Sequence, residues 1–295
     1  MKAVRWGILG AAKFAREHMG PAIHAARGAE LAAIATSSPQ KAAPFVAFAP
    51  GLAVFDSYAA LLADPTIDAV YIPLPNHLHV EWSLKALAAG KHVLCEKPMT
   101  LEASEFEQLI AARDAAGKLA AEAYMIVHHP QFMRARELVH GGAIGNLAHV
   151  DATFSYFNDD SSNIRAQADM GGGGLRDIGV YTFGAARFVS GQEPVRVPYA
   201  HLRLANDVDV FAQVAAVFPD FTYAATVSMR MFPRQEVVFH GDKGVLRLTC
   251  PFNAGVFGTA ELTLENARMT VVTERWPAVN QYLLQVENFC KSVQT

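Results

Sequence analysis

The run Ala3-Val4-Arg5-Trp6-Gly7-Ile8-Leu9, continuing directly into Gly10-Ala11-Ala12-Lys13-Phe14-Ala15, decides the fold. A short apolar strand that ends in glycine and passes at once into a helix-forming stretch opens a dinucleotide-binding sheet. The turn reads G-x-A-x-x-A, with Ala12 and Ala15 where the usual fingerprint has its later glycines. Gly10 gives the tight turn, Ala12 a small side chain beside a pyrophosphate, and the helix N-terminus its dipole and N–H groups. Small residues at such a turn serve close packing equally well, so the motif gains meaning only from the segments C-terminal to it.

Short apolar runs alternate with longer amphipathic ones through the first 125 residues. Strands are expected near 3–9, 30–36, 68–72, 91–95 and 119–125, with helices near 12–27, 40–48, 57–63, 77–89 and 101–116. Thr100 is the expected cap of the last helix and Gly117 its stop. This alternation specifies an α/β architecture with a doubly wound parallel sheet. From about residue 147 the period changes. Ala148-His149-Val150-Asp151-Ala152-Thr153-Phe154 and Val208-Asp209-Val210-Phe211-Ala212-Gln213-Val214 alternate with period two, as strands of a sheet covered on one face do. Further strands are expected over 221–231, 235–240, 244–249 and 261–274, with turns at Pro219-Asp220 and Gly241-Asp242-Lys243-Gly244. A helix from about Gly174 to Val189 interrupts them, and another over 131–140 bridges the halves. The division is a dinucleotide-binding domain over 1–125 and an α+β domain over 126–295, with an open, mostly antiparallel sheet and helices on one face.

Composition narrows the function. Of 295 residues, 52% are hydrophobic and 18% charged, which gives a folded chain with a substantial core. The net charge of −3 provides no basic footprint for nucleic acid or an anionic membrane, so small molecules are the expected partners. No apolar run reaches the roughly 18 residues of a membrane span. Cys95, Cys250 and Cys290 are far apart and show no zinc spacing, so neither a disulfide scaffold nor a metal is expected. The chain enters strand one at once, without a leader pattern, and a cytoplasmic location is expected.

Four segments carry chemistry. After the second strand comes Ala35-Thr36-Ser37-Ser38-Pro39-Gln40-Lys41, where no acid is present to accept both ribose hydroxyls. Ser37, Ser38 and Lys41 suit a 2′-phosphate and favour NADP over NAD, although Ser38 could equally cap the next helix. Ile72-Pro73-Leu74-Pro75-Asn76-His77-Leu78-His79 and Val93-Leu94-Cys95-Glu96-Lys97-Pro98 stand at carboxyl ends of parallel strands, where such sheets bind ligands. Lys97, between an apolar strand and a proline, is suited to proton transfer rather than to a solvated surface. In the second half, Gly171-Gly172-Gly173-Gly174 leads into Leu175-Arg176-Asp177-Ile178-Gly179-Val180-Tyr181. Asp177 and Tyr181, four apart at a helix start, share a face; taken alone, the pair reads as a dipole-stabilising acid and a packed aromatic, and only the first-half motifs turn it toward function.

Together these residues resemble the glucose-fructose oxidoreductase and inositol dehydrogenase family of nicotinamide-dependent oxidoreductases, over nearly the whole chain. The resemblance rests on the Gly10 turn, Pro75-Asn76-His77-Leu78-His79, Glu96-Lys97-Pro98-Met99-Thr100-Leu101 and Gly172-Gly173-Gly174-Leu175-Arg176-Asp177-Ile178-Gly179-Val180-Tyr181. It implies a Rossmann domain and a second, substrate-binding domain whose open sheet forms the interface of a homodimer or homotetramer. It makes Lys97 the catalytic lysine and puts Glu96 near the nicotinamide ribose. Tyr181, where many members have histidine, resembles the branch with dimeric dihydrodiol dehydrogenase and NADP-dependent xylose dehydrogenases. By the same resemblance Gly10, Ala11, Ala12, Lys13, Phe14, Ser37, Ser38, Lys41, Pro73, Leu74, Asn76, His79, Glu96, Lys97 and Arg165 are cofactor contacts. Met125 and Ser37 depart from the branch, which often has arginine at both places. The sequence starts directly at strand one, without the N-terminal arm that secures NADP in glucose-fructose oxidoreductase, so an exchangeable cofactor is expected, and relatives often continue past the helix that begins near Gln281.

The implied reaction is hydride transfer between nicotinamide C4 and a carbinol carbon of a sugar or related polyol, with an aldose C1 hydroxyl first. Tyr181 takes the hydroxyl proton with help from the Lys97 cation, and Asp177 orients one or both. The alternatives are a redox-neutral, nicotinamide-dependent glycosidase and a non-catalytic cofactor sensor.

Overall fold

The computed structural model describes residues 2–267 and 270–295. They divide into two compact units, one running to Met125 and resuming at Tyr282–Thr295, the other spanning Ile126–Gln281.

The first unit carries β1 (Val4–Leu9), α1 (Gly20–Ala25), β2 (Ala29–Ala35), α2 (Pro39–Phe48), β3 (Ala53–Phe55), α3 (Tyr58–Ala63), β4 (Ala69–Ile72), α4 (His79–Ala88), β5 (His92–Glu96), α5 (Glu105–Ala116) and β6 (Ala120–Ala123). The six strands are parallel in the order β3-β2-β1-β4-β5-β6. The chain therefore winds outward in both directions from β1 and β4, and the switch point between these two strands leaves a crevice at their carboxyl ends. Central strands of such a sheet are covered on both faces, which is why β4 and most of β1, β2 and β5 read as unbroken apolar runs and are buried.

Local chemistry explains where this unit departs from expectation. The helix after β1 begins at Lys13 and passes through a π-helical turn, Ala15–Met19, before α1. Edge strand β3, Ala53-Val54-Phe55, is apolar but only three residues long, too short for a period to be read. Helix α5 starts four residues later than expected, because Ser104 occupies the cap position instead of Thr100. The Glu105 carboxylate accepts the Leu101 and Glu102 N–H groups at 2.9 Å and so ties the loop that Thr100 was expected to cap. Gly117 does end the helix, in left-handed conformation at φ 59°.

The C-terminal helix α8 (Gln281–Gln294) is the main departure from a 126–295 domain, because Tyr282 onward belongs to the first unit. Its apolar side carries Phe289, whose ring centroid lies 4.9 Å from that of Trp6 on β1. Glu287 pairs with Arg27 at 2.9 Å, and Gln294 donates to the Lys2 carbonyl at 2.9 Å.

The second unit contains α6 (Pro130–His140), β7 (Leu147–Phe157), α7 (Val180–Ser190), β8 (Arg196–Ala205), β9 (Val208–Val217), β10 (Thr222–Ser228), β11 (Arg230–Gly241), β12 (Gly244–Thr249), β13 (Ala260–Asn266) and β14 (Val271–Trp276). Eight strands lie in the order β14-β13-β12-β11-β7-β10-β9-β8, antiparallel except for β10 against β7. Helix α7 packs on β7 and β10, and α6 on β13 and β14. The strand expected over 261–274 is the hairpin β13–β14; residues 268 and 269 of that stretch lie outside the described residues. Edge strand β8 escaped the sequence pattern because Pro198 and two register shifts break its alternation.

Candidate active site

In the first unit the site is built at the carboxyl ends of β1, β2, β4 and β5. Gly10 closes β1 with φ +105°, and its N–H donates to the Ala35 carbonyl at 2.9 Å. A Cβ there would stand 3.1 Å from Leu74 Cδ2 and 3.2 Å from Tyr58 Oη, so a side chain would be tightly placed as well as strained by the backbone. Ala11 and Ala12 are partly exposed at the turn, and Lys13 is exposed on the first helical residue. This glycine cradle leading into a helix start fits a dinucleotide pyrophosphate. Phe14 packs among rings, 4.9 Å from His18 and 5.4 Å from Tyr282.

After β2, Ser37 and Lys41 are exposed while Thr36 is buried. Ser38 stands at the N-cap of α2 without capping it; its hydroxyl donates to Gln40 Oε1 at 2.7 Å. After β4, Pro73 and Leu74 are buried and Asn76 opens a short 3-10 turn. His79, expected as a cofactor contact, is fully buried, with its ring nitrogens 2.7 Å from the carbonyl oxygens of Pro98 and Leu74. It holds backbone and presents no surface for a ligand.

Lys97 is half-buried just beyond β5. Its neighbour Glu96 accepts a 2.6 Å hydrogen bond from the Tyr71 phenol of β4, and burial holds the Glu96 carboxyl above the usual carboxylate range. Glu122 on β6 accepts the Met99 N–H at 2.8 Å. Tyr71 and Glu122 were missed in the sequence. A phenol in the otherwise apolar run Ala69–Ile72 was the available signal, since a buried hydroxyl must find a partner.

In the second unit a π-helical turn, Leu175–Gly179, precedes α7 and carries Asp177. Asp177 Oδ2 accepts the Tyr156 phenol of β7 at 2.8 Å and lies 2.9 Å from Arg165 Nε. The Asp177 charge holds the Arg165 guanidinium above its ordinary pKa; burial pushes Tyr156 up, and the same carboxylate adds to that. Arg165, expected as a cofactor contact, thus has its Nε committed to Asp177 within its own unit. The Arg165 loop is tied down as well, because its carbonyl accepts the Gly173 N–H at 3.0 Å.

Gly173 has φ +120°, and a Cβ on it would meet Asp209 Oδ1 at 2.4 Å. The Asp209 carboxylate accepts the Leu175 N–H at 2.7 Å and so fixes the helical start from which Asp177 projects. Tyr156 and Asp209 were both hidden inside strand patterns. One turn beyond Asp177, Tyr181 is 6% exposed, with Phe154 and Phe252 centroids at 5.9 and 5.8 Å.

Comparisons with known proteins agree with the folds of the two units. Residues 4–124 match the oxidoreductase family with an NAD-binding Rossmann fold, and residues 132–247 match the GFO/IDH/MocA C-terminal domain. An uncharacterised oxidoreductase of Rhizobium meliloti is 38% identical over 302 residues, covering 100% of this chain and 90% of that protein. A D-xylose 1-dehydrogenase (NADP(+)) of Haloferax volcanii is 36% identical over 296 residues, covering 98% and 89%. Among solved structures, the 3-ketoreductase KijD10 of Actinomadura kijaniata, in complex with NADP and TDP-benzene, superposes with TM-score 0.91 at 32% identity, covering 99% of this chain and 90% of that one. The chain belongs to the GFO/IDH/MocA family of nicotinamide-dependent oxidoreductases.

Proposed function

We propose that the protein is an NADP-preferring sugar oxidoreductase that oxidises an aldose at C1. The observation that carries this reading is Lys97, half-buried at the carboxyl end of the sheet whose switch point carries the Gly10 turn, with Glu96 beside it pinned by Tyr71. When bound, the nicotinamide ring supplies the hydride acceptor or donor. Gly10, Ala11, Ala12, Lys13 and Phe14 would hold its pyrophosphate; Ser37, Ser38 and Lys41 its 2′-phosphate; Pro73, Leu74, Asn76 and Glu96 the nicotinamide end. Lys97 and Tyr181 move the hydroxyl proton, and Asp177, anchored by Arg165 and Tyr156, orients the helix start that bears Tyr181. Full-length similarity to a D-xylose 1-dehydrogenase supports the C1 assignment.

A second reading, reduction of a 3-keto sugar, is favoured by the match to KijD10. Absorbance of reduced nicotinamide, followed with NADP or NAD against D-xylose, D-glucose and 1,2-dihydrodiols, separates the two. Growth of signal with an aldose and NADP supports C1 oxidation. A flat forward trace, with NADPH consumed by a 3-keto sugar, supports the second reading and sinks the first.

We propose further that β8 and its neighbours join a second copy of the chain. Val195, Val197, Tyr199, Leu202 and Leu204 are all more than 40% exposed along this edge, a concentration of apolar surface that an isolated chain rarely carries.

A further inference from the structure

His79 lies at the first residue of α4 and is wholly buried. One of its ring nitrogens faces Leu74 O, in the turn after β4 that also touches the Gly10 turn. The other faces Pro98 O, in the residue after Lys97. Both separations are 2.7 Å. A carbonyl oxygen can only accept, and a neutral imidazole has a single N–H to donate. With one proton on the ring, one of the two contacts sets a nitrogen lone pair against an oxygen lone pair. With two protons, both contacts become charge-assisted hydrogen bonds.

We propose that His79 is a positioning residue for Lys97, which clasps the turn after β5 to the turn after β4 and grips both only when its ring carries two protons. This rests on the assignment of Lys97 as a proton-transfer group. Burial lowers the affinity of the ring for the second proton, and the charges of Lys97, on the clasped turn, and His77, on the turn before α4, lower it further. The two backbone carbonyls work in the opposite direction. On the β6 side, Glu122 holds Met99, one residue past Pro98, and Glu96 is held by Tyr71, so each of these carboxylates accepts a hydrogen bond from another residue. The second proton therefore arrives on the acid side of the ordinary histidine range, and the turn bearing Lys97 tightens as it does.

The test uses the full-length protein with 15N-labelled histidine, the His79 ring being assigned through its couplings to the backbone. The ring should show one protonated nitrogen at alkaline pH and gain the second only on the acid side of the ordinary histidine range, before the protein unfolds. Over the same range, hydrogen exchange of segment 96–101, corrected for its intrinsic pH dependence, should slow by roughly threefold or more. In His79→Gln, whose amide can replace only the donor to Leu74, exchange of that segment should be faster and lose the pH dependence. In His79→Asn, which keeps a donor toward Pro98, part of the protection should return. A ring that keeps a single proton until the protein unfolds overturns the proposal without any variant. So does exchange of 96–101 that is unchanged in a folded, NADP-binding His79→Gln protein. If the ring and the exchange behave as expected but Lys97→Ala retains full turnover, the clasp stands and the role of Lys97 falls.

Discussion

Arg165 Nε lies 2.9 Å from Asp177 Oδ2, and the same oxygen accepts the Tyr156 phenol at 2.8 Å. An oxygen that already accepts from a guanidinium and a phenol ties two elements to one carboxylate, which makes it a good anchor. Asp177 therefore serves by fixing the Arg165 loop to the helix start that presents Tyr181. Arg165→Ala should loosen that loop and cost about 1 kcal/mol of stability, the figure being kept low because the Arg165 side chain is 43% exposed. Urea denaturation reads the stability change, and protease susceptibility of the loop around Arg165 reads its mobility. Arg165→Lys should recover only part of both, since an ammonium does not reproduce the planar fork. Unchanged stability and an unchanged cleavage pattern in Arg165→Ala would show that the pair anchors nothing.

Lys97→Ala should lower turnover by about 10²- to 10⁴-fold, the usual contribution of a positioned proton-transfer group, while NADP affinity stays within a small factor. Titration of nucleotide by intrinsic fluorescence and steady-state kinetics together test this. Activity retained within a small factor removes Lys97 from the chemistry.

Gly10→Ala should weaken nucleotide binding and cost about 1–3 kcal/mol of stability. The substitution must place a side chain at φ +105°, against Leu74 and Tyr58. Thermal unfolding with and without NADP reads both effects; an unchanged midpoint and unchanged affinity would mean that the turn relaxes freely.

These positions show how much the sequence disclosed. The doubly wound sheet was legible because fully covered strands such as Ala69–Ile72 must be apolar throughout, and the second sheet because β9 alternates residue by residue. Lys97 stood out locally as a lysine at the end of an apolar strand, whereas Gly10 and Asp177 stood out only in the company of the other motifs. The partners were not legible. Tyr71, Tyr156, Glu122 and Asp209 sit inside strands, and what makes each one matter is a residue 21 to 34 positions away, a pairing that no local period encodes. Placement of α8 failed for a related reason: an amphipathic helix announces that it packs, but not against which sheet. His79 was legible by its motif but not in its role, because a motif does not say whether a ring points at a ligand or at backbone.

Tyr71→Phe tests the Glu96 bond through pH. The Tyr71 hydrogen bond lowers the pKa of Glu96, opposing the larger upward effect of burial. Because the folded-state pKa of Glu96 is raised, its contribution favours folding at low pH and is lost as pH rises through the folded value. Removing the Tyr71 donor raises that folded value further, so the charged carboxylate costs more once it forms. The variant should be close to wild type in stability at about pH 4, where Glu96 is protonated in both. It should fall behind by about 1.5–3 kcal/mol toward about pH 8, where a hydrogen bond to a charged group has been lost. Urea titrations of both proteins across this range give the difference directly. A deficit that is constant with pH would show that the Tyr71 hydroxyl contributes equally to charged and neutral Glu96, and would sink the charge-assisted reading of this bond.

The exposed edge of the second unit gives the last prediction. Val197 and Leu204 are 53% and 63% exposed, so Val197→Asp with Leu204→Asp should leave the fold of the chain intact. If two copies pair along β8, the double variant should shift the mass measured by light scattering down to that of one 31.9 kDa chain, while wild type stays at a multiple of it. An edge strand of this length left bare invites further pairing, and the two introduced aspartates oppose it, so the monomeric variant should stay in solution. A wild-type protein that is already monomeric at micromolar concentration would assign the apolar residues of β8 to something other than a second copy.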